Sequence, residues 1–528
     1  MLNNESFVKS SLIFIFLFGL SLIIRLNFGY DSSIWLDEAW RITISRSYHF
    51  ENWLDIWKYA FTFEGLLILN DFLLSENISN YRILFVLISS FSSPFLFILA
   101  RNFFNTKLSL IIALLIASSS WHVTYSNEIA AYGIGATFTL IFCIILFSDK
   151  YKSEYTKISL VLLIASILGI IHIYLIGLTL LLLTTKYLSE FLNYKNYKSL
   201  IILFVLIFLV FLINSGQIYN RFFEFSGTQV FNGASSGWIT RFPFHLVNVA
   251  LSGPLSNYWI PTSYDLSIIF ICISLLVLII LTISVMKFCI LIYSNFNLSS
   301  IKTFIKNEPK IVIIFSATIG YTLFIYVQAF FVNGEFMRYA LPLFPLILIC
   351  LFYLFKKTFK GNIISPLNIG LIMIIINIGV LYNGNFSTHF KNPYTKIFNE
   401  IEESCLKKDT IIITPEFLEL AIVKFYLSES NCNLITQPSF NDFFMNKNKS
   451  LIWQDKEARV AEDEFLIEES LTNGSDADQI IIMGARSGRR ISDMVKDNRF
   501  SNYNITNNFI TNLELGFRVV TFEKNKAN

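Results

Sequence analysis

Long, nearly uncharged apolar runs constrain the fold of this chain more than any other feature. A run of about 17 to 25 apolar residues crosses the hydrocarbon core of a bilayer as a helix. The 528-residue sequence contains about eleven such runs, and 54% of its residues are hydrophobic while 15% are charged. We therefore predict a polytopic α-helical membrane protein rather than a soluble globular one.

The predicted spans begin close to the N-terminus, and His172 divides one long apolar stretch into two of them. No small-residue cleavage site follows the first apolar run, so we expect it to stay as a membrane helix with its N-terminus inside. In order, the predicted spans are 11–29, 82–100, 107–122, 129–148, 157–171, 172–188, 199–215, 266–290, 310–332, 338–356 and 363–382.

The basic residues indicate the orientation of the chain. The formal net charge of +3 is small, so the total implies neither an acidic nor a basic partner, and no nucleic acid is expected. Lysine and arginine concentrate in alternate loops, among them Lys150, Lys152, Lys356 and Lys357, and such loops face the cytoplasm. We expect a multi-pass protein of the plasma (inner) membrane whose residues after about 384 lie outside.

Three segments predicted to be non-cytoplasmic are too long to be simple connections. Residues 30–81 are rich in tryptophan and acidic residues and are expected to form helices in the membrane interface. Residues 215–265 are polar and would cover a cavity. The third segment, 384–528, is long enough for a domain. The expected domains are thus a transmembrane region, 1–383, and a small extracytoplasmic α/β domain, 384–528.

The C-terminal domain is predicted from its local patterns. Strand-type runs cover Asp409–Thr414 and Gln479–Met483, a helical pattern covers Glu416–Leu427, and Tyr503–Phe522 has the propensity of a hairpin. Of the six cysteines, only Cys405 and Cys432 lie in this soluble part. An oxidising compartment permits them to pair, but the sequence alone cannot supply the geometry.

The strongest candidate for chemistry is the pair Asp37 and Glu38 in WLDEAWR, just beyond the first span. A carboxylate at a partly desolvated interface costs free energy unless it is paired, hydrated or bound to a cation, and such a group is suited to act as a general base. The alternative is a solvated interfacial acid between the anchoring residues Trp35 and Trp40.

A second acid, Glu128 in TYSNEIAAY, is predicted in a short outer turn on the same side as Asp37. Asn127, Glu128 and Tyr132 are expected to occupy the first turn of a helix, where the helix dipole stabilises an acid. Helix capping is therefore the alternative to a catalytic role. No two histidines have metal-ligand spacing, so a divalent cation would rest on Asp37 and Glu128.

Basic and aromatic residues accompany these acids. Arg338, beside Tyr339 at the mouth of the tenth span, has a fork of donors that fits a phosphate, although snorkelling from a helix end explains it as well. His172 and Tyr174 are predicted near the outer end of the fifth span. A hydrogen bond between helices is the alternative to a ligand-binding role for this histidine.

Taken in order, these motifs resemble the GT-C fold membrane glycosyltransferases, in particular the bacterial relatives of protein O-mannosyltransferases and of the lipid A aminoarabinose transferase. The resemblance covers most of the chain. It rests on LDEAWR after the first helix, SNYRILFVLISS at the second, WHVTYSNEIAAY between the third and fourth, HIY in the fifth and MRYALPLFP at the tenth.

Enzymes of that family pass a sugar, with inversion, from a polyprenyl-phosphate carrier to an acceptor at the outer face. The resemblance implies an acidic general base and an acceptor that is a glycan, a lipid or a protein. The implied catalytic residues are Asp37, Glu38 and Glu128, the implied donor-phosphate residues are Arg338, Tyr339 and Arg82, and Asn127, Tyr132, His172 and Tyr174 would line the same cavity.

The chain departs from the family pattern at two places. Phe63, Glu64 and Gly65 stand near the position of a His-Pro-Pro-like stretch, and Ala130 stands where relatives carry an arginine after the second acid. Two other functions stay open at this point. One is a lipid or solute transporter, which would favour charged or broken helices at the bilayer midplane; the other is a non-catalytic scaffold for the C-terminal domain.

Overall fold

The computed structural model divides the chain into two compact units. The first comprises Met1–Asp31, Asn52–Tyr258 and Ser263–Phe386, and the second comprises Ser32–Glu51, Trp259–Thr262 and Ser387–Asn528. The residues that it describes are 4–28, 38–39, 42, 78–148, 153–215, 279, 282–283, 286, 303, 306–332, 339–359, 365–382, 394–414, 422–423, 425–427, 432–435, 466–468, 477–484, 491, 494–510 and 518–525.

The first unit is helical. A helix lies at each predicted span except 266–290, most of which lies outside the described residues. The helices are α1 (Asn4–Asn27), α2 (Ile78–Ser90), α3 (Ser92–Ala100), α4 (Thr106–Ser118), α5 (Ser120–Ser126), α6 (Ala131–Phe147), α7 (Glu154–Ile171), α8 (Ile173–Tyr194), α9 (Tyr197–Ile213), α10 (Pro309–Val332), α11 (Phe344–Thr358, after a 3₁₀ turn at Leu341–Leu343) and α12 (Pro366–Tyr382).

Several of these helices suit a bilayer. Within the described ranges, four segments are long and apolar enough to cross a membrane, namely Val8–Asn27, Arg82–Ala100, Tyr174–Leu192 and Leu341–Thr358. The pair α4 and α5, bent by 53°, makes a fifth if it is one broken span. The chain is thus a helical membrane protein, and the number of about eleven spans stays a prediction.

Helix α6 is buried among its neighbours, whereas α9 exposes apolar side chains. Phe208 on α9 is 64% exposed, as expected of a surface that faces lipid tails. On α6, a β-carbon added at Gly135 would lie 3.2 Å from Cγ of Pro342 and 3.0 Å from Cδ1 of Leu175. The glycine therefore allows close approach between helices, which is how membrane helices commonly pack.

The two ends of the helical unit differ in chemistry. At one end, Lys356 donates to the carbonyl of Phe103 at 3.0 Å, and Lys357 lies 3.7 Å from the carboxylate of Glu308. These lysines belong to loops that the sequence predicts to be cytoplasmic. At the other end, α1 finishes close to the junction of α5 and α6, where the side chain of Asn127 donates to the Phe28 carbonyl at 2.7 Å.

The second unit is built around a mixed five-stranded sheet. The sheet follows helix α13 (Tyr394–Lys407). Its strands are β1 (Thr410–Ile413), β2 (Asn433–Ile435), β3 (Gln479–Gly484), β4 (Tyr503–Ile510) and β5 (Arg518–Lys524). The order is β2-β1-β3-β5-β4, with β2, β1 and β3 parallel and the last two strands antiparallel.

Burial explains why the two central strands are so apolar. Every residue of β1 and β3 is buried, as in strands covered on both faces. β1 lies within the predicted run 409–414, and β3 extends the predicted run 479–483 by one residue. β4 and β5 form an antiparallel pair within 503–524. In the predicted helix 416–427, residues 422–423 and 425–427 are described, and they are helical.

The two cysteines of the soluble part are joined. Cys405 near the end of α13 and Cys432 just before β2 form a disulfide, with 5.2 Å between their α-carbons. Cys143 and Cys350, in contrast, are buried free thiols in the helical unit. Pairing, which the sequence left open, is thus present in this structure.

We expect the disulfide to be detectable by counting thiols in the denatured protein. Without reduction, maleimide should modify Cys143 and Cys350 but not Cys405 and Cys432, and reduction should add the two adducts of this pair, which intact-mass measurement resolves. Cys143→Ser is the matched control, since it should remove one adduct under both conditions. A full set of adducts before reduction would contradict the pairing.

Candidate active site

The site begins at a break between two helices. Ser119 has φ −59° and ψ 115°, which is not helical, so α4 ends and α5 starts afresh. The Ser119 hydroxyl accepts a hydrogen bond from the amide of His122 at 3.2 Å, and the side-chain oxygen of Asn377 on α12 accepts one from the amide of Ser120 at 3.3 Å. Amides at the start of a helix need such partners, above all in a bilayer.

Removing the Asn377 cap should destabilise this break. Asn377→Leu leaves the buried amide of Ser120 without its side-chain acceptor, so we expect a loss of about 1–3 kcal/mol. Amide exchange at residues 119–128 should also become faster. The matched control is Thr179→Val, because the buried Thr179 hydroxyl bonds only the Leu175 carbonyl of its own helix. Equal losses of thermal stability in detergent for both variants would contradict a special role for Asn377.

The acid Glu128 lies in the turn that joins α5 to α6. Asn127 is the C-terminal cap of α5, and α6 begins only at Ala131, so of the predicted first-turn residues only Tyr132 is helical there. The prediction that Asn127 and Glu128 lie in the first turn of a helix was therefore wrong. The N-cap position belongs to Ala130, which has no capping side chain. Glu128 is 2% exposed, so capping does not explain why this carboxyl is buried.

Three predicted cavity residues and one predicted donor-phosphate residue meet near the start of α6. We call Tyr132, His172, Tyr174 and Tyr339 the aromatic cluster. The ring centroids of Tyr132 and Tyr339 are 5.9 Å apart, those of Tyr174 and Tyr339 4.9 Å, and those of His172 and Tyr339 5.5 Å. Tyr132 comes from α6 and His172 and Tyr174 from the α7–α8 junction, while Tyr339 lies two residues before the 3₁₀ turn that leads into α11. Tyr132 and Tyr174 are buried, while His172 and Tyr339 are half-buried.

His172 is held by the start of α8. Its backbone is extended, and its Nδ1 accepts a hydrogen bond from the amide of Tyr174 at 3.3 Å. An Nδ1 that accepts leaves the ring proton on Nε2 when the ring is neutral. The break between the fifth and sixth spans therefore occurs where the sequence predicts it, and it places this imidazole within the aromatic cluster.

Of the remaining predicted site residues, Arg82 and Glu38 are buried, and Asp37 and Arg338 lie outside the described residues. Arg82 is 2% exposed and lies within α2, which starts four residues earlier at Ile78. The side chain of Glu38 is fully buried. Asp37 and Arg338 belong to the part of the chain that the structure does not describe, so their roles stay predictions.

A buried pair that sequence reasoning missed is Arg25 with His122. Both side chains are fully buried, and the Arg25 Nη2 lies 2.7 Å from Nδ1 of His122. The available signal was an ionisable residue inside each of two apolar runs, because such residues are rare in membrane helices and commonly functional.

The predicted metal site lies partly outside the described residues. Among the described residues, no group of three or more histidine, cysteine, aspartate or glutamate side chains is arranged to hold a metal ion. Asp37, one of the two expected ligands, lies outside those residues. A divalent cation at Asp37 and Glu128 stays a prediction.

The chain thus combines apolar helices, which carry a buried acid and an aromatic cluster, with a sheet-based unit that follows them in sequence. The chain aligns with the crystal structure of ArnT from Cupriavidus metallidurans bound to undecaprenyl phosphate, with a TM-score of 0.53, 9% identity and coverage of 96% of this chain and 97% of that chain. Against ArnT in the apo state the TM-score is 0.51 at 10% identity, with the same coverage. At these identities the likeness establishes the fold. No protein-family model and no curated protein matches the chain.

Proposed function

We propose that this chain is a membrane glycosyltransferase that moves a sugar from a polyprenyl-phosphate donor to a glycan, lipid or protein acceptor. The observation that carries the proposal is the buried acid Glu128, four residues before Tyr132 of the aromatic cluster, in a chain that shares its fold over 96% of its length with ArnT. One of those ArnT structures is bound to undecaprenyl phosphate. A buried carboxyl beside a polar aromatic wall suits a reaction that moves a proton while a sugar is held.

The proposed reaction is an inverting displacement. An acceptor hydroxyl attacks the anomeric carbon from the face opposite the phosphate, its oxygen forms the new bond, and the bond from carbon to phosphate oxygen breaks with its electron pair. Asp37 accepts the acceptor proton as general base. Glu38, the next residue in sequence, and Glu128 are the other proposed catalytic acids, with the role of orienting the acceptor.

The leaving phosphate needs compensation for its developing negative charge. Arg338 is proposed to bind it through its fork of donors, and Arg82 and Tyr339 are the other proposed contacts. A divalent cation held by Asp37 and Glu128 would supply the same compensation as a Lewis acid.

The aromatic cluster is proposed to hold the sugar ring. Aromatic faces pack against the C–H groups of a sugar, and phenol hydroxyls can exchange hydrogen bonds with sugar hydroxyls. Tyr339 and His172 are half-buried, so this wall has an accessible side, while Tyr132 and Tyr174 support it from behind.

The chemistry is proposed to take place on the non-cytoplasmic side of the plasma (inner) membrane. The lysines at the opposite end of the helical unit support this orientation through the positive-inside tendency. The disulfide between Cys405 and Cys432 supports an extracytoplasmic C-terminal domain, because disulfides persist in oxidising compartments.

The test is transfer by the purified protein in lipid nanodiscs. Radiolabelled undecaprenyl-phosphate sugars are supplied with a membrane and cell-envelope extract as the source of acceptors, with and without a chelator. We expect loss of the donor, release of undecaprenyl phosphate and labelling of an acceptor fraction. Failure to consume or bind any donor would overturn the proposal. Movement of intact donor across the bilayer without transfer would instead favour a flippase.

A further inference from the structure

Arg25 is a fully buried guanidinium in the last turn of α1. Its Nη1 donates to the Ser21 carbonyl at 2.9 Å and also to the Ser21 hydroxyl, and its Nη2 lies 2.7 Å from His122 Nδ1. In the part of the chain that the structure describes, no carboxylate forms an ion pair with Arg25. A buried cation without an anionic partner costs free energy that an apolar side chain would not.

The pair also defines the state of the imidazole. Arginine remains protonated in proteins and can only donate, so His122 accepts at Nδ1 and carries its proton on Nε2. The Ser126 hydroxyl lies 3.0 Å from the same nitrogen and donates to the His122 carbonyl at 2.5 Å. The contact thus has one donor, one acceptor and a defined geometry, unlike simple apolar packing.

A second contact joins the same two elements. The side-chain nitrogen of Asn127 donates to the carbonyl of Phe28, one residue beyond α1, at 2.7 Å. It also donates to the Val123 carbonyl at 3.1 Å. Together the two contacts connect the end of α1 to the end of α5. Glu128 follows Asn127 directly, and the segment that carries Asp37 follows α1 along the chain.

We infer that Arg25 and His122 are positioning residues, which hold the Glu128 turn against the end of α1 and so set the position of the Glu128 carboxylate. The inference rests on the proposed function. A misplacement of about 1 Å in an active site can cost about 100-fold in rate, which is the effect expected when such a contact is lost. Neither residue is expected to touch the substrate, because both side chains are fully buried.

The test compares conservative with disruptive variants. Asn presents a side-chain oxygen near the position of Nδ1, so His122→Asn keeps an acceptor for Arg25, whereas His122→Phe keeps none. We expect Arg25→Met and His122→Phe each to lower kcat by about 100-fold with the donor KM changed by less than about threefold. His122→Asn should stay within about fivefold of wild type, and the double variant should be no slower than either single one.

A measurement that does not depend on catalysis separates this inference from the proposed function. Amide hydrogen exchange at residues 123–131 should become faster in Arg25→Met and His122→Phe, and it should stay near wild type in His122→Asn. Ser166→Ala is the control, because the Ser166 hydroxyl bonds only the Leu162 carbonyl of its own helix. Arg25→Lys, which keeps the charge, covers the case in which Arg25→Met does not fold.

Each outcome decides one of the two claims. If wild type transfers no sugar but the exchange pattern changes as expected, the positioning contact stands and the proposed function fails. If wild type is active and Arg25→Met keeps both its kcat and its exchange pattern, the positioning role is wrong. A loss in His122→Asn as large as that in His122→Phe would also overturn it, because the imidazole would then act through Nε2.

Discussion

Replacing Asp37 by asparagine is expected to lower the rate of sugar transfer by about 10²- to 10⁴-fold, the usual contribution of a general base. Asparagine has nearly the same shape and keeps a hydrogen-bonding oxygen, but it cannot accept the proton of the acceptor hydroxyl. The initial rate with saturating undecaprenyl-phosphate sugar measures this effect. The donor KM should change little, since the lost interaction belongs to the transition state.

The control for Asp37→Asn is Asp55→Asn in the same predicted outer segment. It removes a carboxylate of the same type and should leave the rate within about twofold, as expected for a substitution away from the site. Full activity in Asp37→Asn would remove that residue from the role of base. Glu38→Gln then becomes the decisive variant, because the Glu38 side chain is fully buried.

Replacing Arg338 by methionine is expected to lower kcat/KM for the donor by about 10²- to 10³-fold. The guanidinium is proposed to hold the phosphate that leaves, and lysine would restore its charge but not its two-point geometry. We therefore expect Arg338→Lys to fall between methionine and wild type. Transfer rates measure the loss in kcat/KM, and direct binding of undecaprenyl phosphate measures the loss of phosphate affinity.

The control for Arg338 is Arg241→Met, which removes an arginine from the other long predicted outer segment. Its donor binding and rate should stay close to wild type. Snorkelling, the alternative for Arg338, requires only a charge at a helix end, so it predicts that Arg338→Lys is fully active. Full activity of the lysine variant together with unchanged phosphate binding would contradict the phosphate role.

The positions of the helices followed from the sequence because apolar length is a local property. The break at His172 was also predicted, since a polar residue interrupts a continuous apolar stretch there. The break at Ser119 was not predicted, because its cause lies elsewhere in the chain. The amide of Ser120 is capped by Asn377, 257 residues away, and no window along the sequence contains both.

The position of Glu128 shows the same limit of sequence-based prediction, here over only a few residues. The acid was placed correctly in a short turn, but it was assigned to the first turn of the next helix. The extended backbone of Ala130, with φ −150° and ψ 159°, delays that helix to Ala131. Alanine favours helices, so local propensity gives no sign of this delayed helix start. The burial of the turn overrides that helix propensity.

By itself, the sequence determined that this chain is a helical membrane protein, which acids, bases and aromatic residues are its site candidates, and which fold it resembles. Only the tertiary structure decided which of those side chains meet. It assembled the aromatic cluster from three separate elements and joined Arg25 to His122 across 97 residues. The physical reason is that membrane insertion depends on local hydrophobicity, whereas the pairing of buried polar groups depends on how the helices pack.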